Sequence, residues 1–211
     1  MTSGQQPAQS AAEPIVFIVD DDISVRESLE SLIGFSGWKA EAFSSGREFL
    51  ERPRADCPTC LLLDVSLPEL NGLDIQNLVS TDRPDMPIIF ITGHADIPMT
   101  VRAMKAGAAE FLTKPLDDER LLEAIDAAIE RSRITRGGQA EIQILQDRWA
   151  TLTPREREVI ELVASGLLNK QVGYKLGISE ITVKAHRGKA MSKMEADSLP
   201  ELVRMLGRFE L

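Results

Sequence analysis

Three aspartates, a threonine and a lysine sit at the ends of short apolar runs. Asp20 and Asp21 follow Ile15–Val19, Asp64 lies in Leu61–Val65, Thr92 follows Ile88–Ile91, and Lys114 follows Glu110–Thr113. Carboxylates gathered at one point repel each other. A divalent cation removes the repulsion, and ligands that are all oxygen suit Mg2+. A lysine and a threonine hydroxyl beside them complete a site for a phosphoryl group, whose transfer needs positioning and charge neutralisation more than covalent chemistry. One carboxylate can itself be the nucleophile and form an aspartyl phosphate.

The elements that must position these residues follow from the pattern. The apolar runs read as strands, with Lys39–Phe43 a further candidate. Between them lie helical repeats: Val25, Leu29, Leu32 and Ile33, stopped by Gly34 and Gly37; Arg47–Leu50, closed by Pro53; Leu73–Val79, after a turn at Asn71-Gly72; and Met99, Val101, Met104 and Ala108. Leu121, Leu122, Ile125 and Ile129 form a further amphipathic helix. Strands alternating with helices imply a doubly wound parallel α/β sheet of five strands, covered on both faces. In such sheets the crevice lies beyond the C-terminal strand ends, where all five polar residues fall.

The charge divides the chain. Of 211 residues, 24 are Lys or Arg and 33 Asp or Glu, net −9. Residues 1–148 hold 14 basic against 25 acidic residues, net −11, and residues 149–211 hold 10 against 8, net +2. An acidic module joined to a mildly basic one suggests different partners. With 43% hydrophobic and 27% charged residues the chain reads as globular. It carries neither a membrane-length apolar stretch nor a secretory signal, and two cysteines make no disulfide framework, so a cytoplasmic location is expected. The boundaries expected are a flexible tail 1–13, an α/β domain 14–130, a partly helical linker 131–148 interrupted at Gly137-Gly138, and a four-helix all-α domain 149–211.

The segments Val19-Asp20-Asp21, Leu63-Asp64-Val65-Ser66-Leu67-Pro68, Ile91-Thr92-Gly93 and Lys114-Pro115 resemble the receiver domain of bacterial two-component response regulators, over residues 14–130. The resemblance implies that Asp64 accepts a phosphoryl group from a histidine kinase. It implies that Mg2+ is held by Asp21 directly, Asp20 through water, Asp64 and the backbone carbonyl of Ser66. Lys114 would pair with the phosphoryl oxygens, and Thr92 would swing to hydrogen-bond them. Phe111 stands at the aromatic switch position, without the hydroxyl of the more frequent Tyr. Val101, Lys105 and Arg120 are the expected dimer contacts, with homodimerisation following phosphorylation.

The last third has helix–turn–helix logic. Thr153, Pro154 and Glu156 open one helix with a capping box. Asn169–Leu176 is a short helix closed by Gly177, and Ser179 caps a third helix bearing Lys184, Arg187, Lys189 and Lys193. Leu152-Thr153-Pro154-Arg155-Glu156, Asn169-Lys170, Leu176-Gly177-Ile178-Ser179 and Thr182-Val183-Lys184-Ala185-His186 resemble the LuxR/NarL/FixJ-type DNA-binding domain. By that resemblance Lys184 and Ala185 face double-stranded DNA, Arg187 and Lys189 contact groove or backbone, and Asn169, Lys170 and Thr182 hold phosphates. Gly188 stands where some relatives carry a basic base reader, and His186 reads equally as packing. A last helix, Ser198–Leu206, serves either dimer contact or core closure.

The combined order resembles FixJ-like response regulators. It implies a phosphorylation-controlled transcription regulator, an activator that works with RNA polymerase and is not an enzyme. A haloacid-dehalogenase-type phosphatase would need an acid where Ser66 stands. The alternative is a phosphorylation-independent DNA-binding regulator with a vestigial receiver, against which the intact set of Asp20, Asp21, Asp64, Thr92 and Lys114 argues. Asp22 reads as a helix cap, His94 as a solvated loop residue, and Cys57-Pro58-Thr59-Cys60 as structural, because a strand rather than a helix follows it.

Overall fold

A computed structural model describes residues 13–68, 70–93 and 97–208. His94 lies outside them, as does most of the expected tail. Two compact units divide between Arg136 and Gly137.

The first unit alternates strand and helix: β1 (Ile15–Val19), α1 (Ile23–Phe35), β2 (Lys39–Phe43), α2 (Gly46–Glu51), β3 (Thr59–Asp64), α3 (Gly72–Asp82), β4 (Ile88–Thr92), α4 (Ile97–Lys105), β5 (Glu110–Thr113), and α5, which starts at Asp118. All strands pair in parallel, in the order β2-β1-β3-β4-β5. The order reverses between β1 and β3, so a crevice opens at their C-terminal ends.

Alternate residues of each strand serve opposite faces. Phe17, Val19, Leu61, Leu63 and Phe90 pack with Phe49 of α2, Ile75 and Val79 of α3 and Ala103 of α4. Val16, Ile18, Leu62, Ile89 and Ile91 pack with Leu29 and Ile33 of α1 and with Leu121, Ile125 and Ile129 of α5. β3 begins two residues before the expected Leu61, because Thr59 and Cys60 are buried in the ladder. Burial pushes both cysteine thiols upward, away from the reactive thiolate.

Two glycine expectations differ from the structure. Gly34 lies inside α1, and the chain turns at Gly37, whose φ of 89° favours glycine. Gly137 and Gly138 do not interrupt α5, which runs Asp118–Ala150. Each costs about 1 kcal/mol of helix propensity relative to Ala, against flanks rich in helix formers. Within the first unit, α5 is tied down by polar contacts. Ser132 Oγ donates to the Asp85 carbonyl at 2.6 Å and accepts from Thr59 N–H at 3.0 Å, and Arg136 donates to Asp85 at 2.7 Å.

In the second unit, α6 (Pro154–Ala164), α7 (Asn169–Leu176), α8 (Glu180–Met194) and α9 (Leu199–Leu206) follow. The capping box at Thr153 and Glu156 forms as expected. Glu156 is also held by Lys193 at 2.7 Å, and the lysine and the Thr153 N–H lower its pKa to about 2. Val159 and Val163 of α6 pack with Val172 of α7 and Val183 of α8. Leu202 and Leu206 of α9 join Ile160, Ala190 and Met194, so α9 closes the core, while Val203 stays exposed.

Candidate phosphoryl site and nucleic-acid interface

The crevice is built from strand ends. Asp20 directly follows β1, Asp64 ends β3, Thr92 ends β4, and Lys114 directly follows β5. Asp20 and Thr92 are fully buried and Asp64 nearly so, while Asp21 is exposed. Carboxylate oxygens of Asp20, Asp21 and Asp64 lie within 4.8 Å of one another. Lys114 Nζ donates to Asp20 Oδ2 at 2.6 Å and stands 3.9 Å from Asp64 Oδ1. The lysine therefore rests on Asp20, within reach of Asp64. Asp22 caps α1 through Ser24 N–H, as expected, and its own N–H donates to Asp20 Oδ1 at 2.9 Å.

Asp64 is the strained member. Its Oδ1 is buried and accepts no hydrogen bond. Burial pushes its pKa up, Lys114 pulls it down, and Asp20 and Asp21 push it up again. The nearby Ser66 backbone N–H pulls it down in turn. A buried carboxylate oxygen left without a donor, facing two further carboxylates, suits a hard cation ligated by oxygen. The donor set therefore fits Mg2+.

Sequence reasoning missed Gly72. A Cβ there would come 2.7 Å from the Asp64 carbonyl oxygen and 3.0 Å from Val65 Cα. Only glycine lets α3 start this close to the end of β3. Asn71-Gly72 was legible as a turn, but a close approach across the fold leaves no trace in local sequence. Phe111 is buried, its ring centroid 6.0 Å from that of Phe90. On α4, Val101 and Lys105 are exposed, and Arg120 on α5 reaches Glu110 at 3.8 Å.

In the second unit, α7, a turn and α8 form the helix–turn–helix. Gly177 takes the left-handed conformation (φ 66°) that turns the chain. Gly173, also missed, leaves no room for a side chain, since a Cβ would meet the Ile178 carbonyl at 2.7 Å. Ser179 caps α8 by accepting from Thr182 N–H, and the two hydroxyls lie 2.8 Å apart. Lys184, Ala185, Gly188 and Lys189 are exposed on α8, and Lys184 stands 3.3 Å from Glu180. Lys170 is exposed on α7. Arg187 and Asn169 are half-buried and hydrogen-bonded at 3.3 Å, so the structure joins two residues expected to act separately. His186 is half-buried and Val183 fully buried.

Comparison with known proteins agrees with both units. Residues 16–126 match the response regulator receiver domain family, and residues 150–206 match the bacterial regulatory proteins of the luxR family. Nodulation protein W of Bradyrhizobium diazoefficiens is 51% identical over 197 residues, covering 93% of this chain and 87% of that protein. Response regulator protein TodT of Pseudomonas putida is 43% identical, covering 93% and 86%. The solved structure of response regulator StyR is similar with a TM-score of 0.83 at 42% identity, covering 94% of this chain and all of that one.

Proposed function

The chain belongs to the two-component response regulators that join a receiver to a luxR-family DNA-binding domain, and on that premise we propose that phosphorylation of Asp64 controls its regulation of transcription. The observation that carries this reading is the buried Asp64 Oδ1, without a hydrogen-bond donor and 3.9 Å from Lys114 Nζ. A histidine kinase and DNA are the partner classes that the two domains imply.

An Asp64 oxygen attacks the phosphorus of a phosphohistidine. The O–P bond forms as the N–P bond breaks, and the imidazole nitrogen keeps the electron pair. Lys114 turns from Asp20 toward the phosphoryl oxygens, and the buried Thr92 supplies its hydroxyl. Asp20, Asp21, Asp64 and the Ser66 carbonyl would hold Mg2+, which when bound neutralises the clustered negative charge. Phe111 is already packed on Phe90, so it responds by repacking within the core rather than by entering it. That repacking biases the α4–β5–α5 face, where Val101, Lys105 and Arg120 meet a second copy. Two copies then present two α8 helices to the major groove. Lys184 and Ala185 face the bases, Arg187 and Lys189 the groove or backbone, and Asn169, Lys170 and Thr182 the phosphates.

In this reading residues 14–130 are the receiver, 131–148 the connecting segment and 149–211 the DNA-binding domain. The protein works in the cytoplasm, where DNA and RNA polymerase are, as an activator. No helix among the described residues is long and apolar enough to cross a membrane.

The test is selection of DNA sites, with and without acetyl phosphate and Mg2+, by the native chain and by Asp64→Ala. The donor is expected to strengthen binding and dimerisation in the native chain alone. Equal binding by both proteins, with or without donor, would reject control through Asp64.

A further inference from the structure

The outward face of α8 carries one residue of the wrong chemistry for water. Ile181 is 80% exposed in the first turn of the helix. Over residues 180–188, the N-terminal part of α8, and at about 100° per residue, Ile181, Lys184, Ala185 and Gly188 share one face spanning about 100°. The buried Val183, Ala190 and Met194 lie on the opposite side. A single exposed apolar residue is ordinary on a protein surface. This one sits at the centre of the face opposite the core, in the half of the helix that enters the major groove.

The rest of that face sharpens the point. Among its four residues only Lys184 has a hydrogen-bonding side chain, and that lysine also lies 3.3 Å from Glu180. No Arg, Asn or Gln on it can make the bidentate contacts that read guanine or adenine. Gly188 offers nothing to a base, and the space around its Cβ position is open. What remains besides the lysine is apolar surface, and the one apolar group that a base pair shows in the major groove is the C5 methyl of thymine.

We propose that Ile181, with Ala185 beside it, reads thymine through its methyl group, so that each half-site carries a thymine facing the first turn of α8. This rests on the DNA-binding reading of α8 and assigns a specificity determinant within it. Burying the side chain against a methyl group also explains why a β-branched residue, a modest helix former, occupies this exposed position.

The experiment uses the full chain activated with acetyl phosphate. Sites are selected from random duplexes, and each thymine of the selected site is replaced in turn by deoxyuridine, which keeps base pairing and removes only the methyl. At one or two positions per half-site, uracil is expected to weaken native binding about three- to tenfold, the scale of one buried methyl. In Ile181→Ala the same replacement is expected to have almost no effect, and in Ile181→Val an intermediate one. The dependence on salt should be the same in all three proteins, since no phosphate contact is lost. Uracil tolerated at every position, or an Ile181→Ala variant as sensitive as the native chain, overturns the proposal while leaving DNA binding intact. Failure to select any site overturns the DNA-binding reading, and this proposal with it.

Discussion

Asp64 combines burial, an oxygen without a donor, and two neighbouring carboxylates. Its ionised form is therefore a cost to the folded receiver. Its pKa is raised, so this cost is present in full above the folded pKa and is relieved as pH falls through that value. Asp64→Asn removes the charge at nearly constant shape. In a chelating buffer at pH 7.5 the variant is expected to unfold about 1–3 kcal/mol less readily than the native chain. Its advantage should shrink toward pH 4. Added Mg2+ should stabilise the native protein by mass action and leave the variant unmoved. Urea melts with chelator and with Mg2+ check this, and equal stability without the ion would mean that Asp64 is not strained. The residue types at this site were legible in the sequence, because acids ending apolar runs must meet at one edge of a parallel sheet. The resting partner of Lys114 was not. Whether it lies on Asp20 or Asp64 depends on distances of 2.6 and 3.9 Å, which spacing along the chain does not encode.

The elements themselves were read well where burial on both sheet faces made the strands almost wholly apolar, as in β1 and β4. They were read less well where glycine was taken as punctuation. Gly34, Gly137 and Gly138 all sit in helices, with nothing within 4 Å of their Cβ positions, so only intrinsic propensity opposes them. The close packing at Gly72, read only as a turn residue, and at Gly173 went unnoticed, although neighbouring backbone leaves no room for a side chain at either. Such contacts belong to packing between elements and not to local pattern. Gly72→Ala should force α3 away from the end of β3 and displace the Asp64 peptide. The expected result is a loss of about 2 kcal/mol or more from steric overlap, with slower phosphorylation by acetyl phosphate. Gly34→Ala, where the added methyl meets open space, serves as the control and should be neutral to slightly stabilising. Equal behaviour of the two variants would remove the close approach as an explanation.

At the scale of the whole molecule, charge separates two tasks. Residues 1–148 carry net −11, whereas residues 149–211 carry net +2. DNA is a dense polyanion, so the acidic part works against the basic part at long range. Residues 137–211, a compact unit with their own core, are expected to bind random DNA more tightly at low salt than the full chain. The difference should fade as added salt shortens the Debye length to a few ångströms, at roughly 1 M. Fluorescence anisotropy across a salt series measures this, and a full chain that binds random DNA as well as residues 137–211 at low salt would rule out long-range repulsion. The two tasks are also separate in what each can tolerate. The receiver crevice is crowded, and a change there disturbs charge, packing and chemistry together. Gly188 is the opposite: an exposed position on the outward face of α8 with open space where a side chain would begin. Almost any residue placed there would fit, and nearly all would improve the helix. If α8 lies in the major groove as proposed, a single codon change at Gly188 would alter which sites the protein reads without touching the crevice of the first unit.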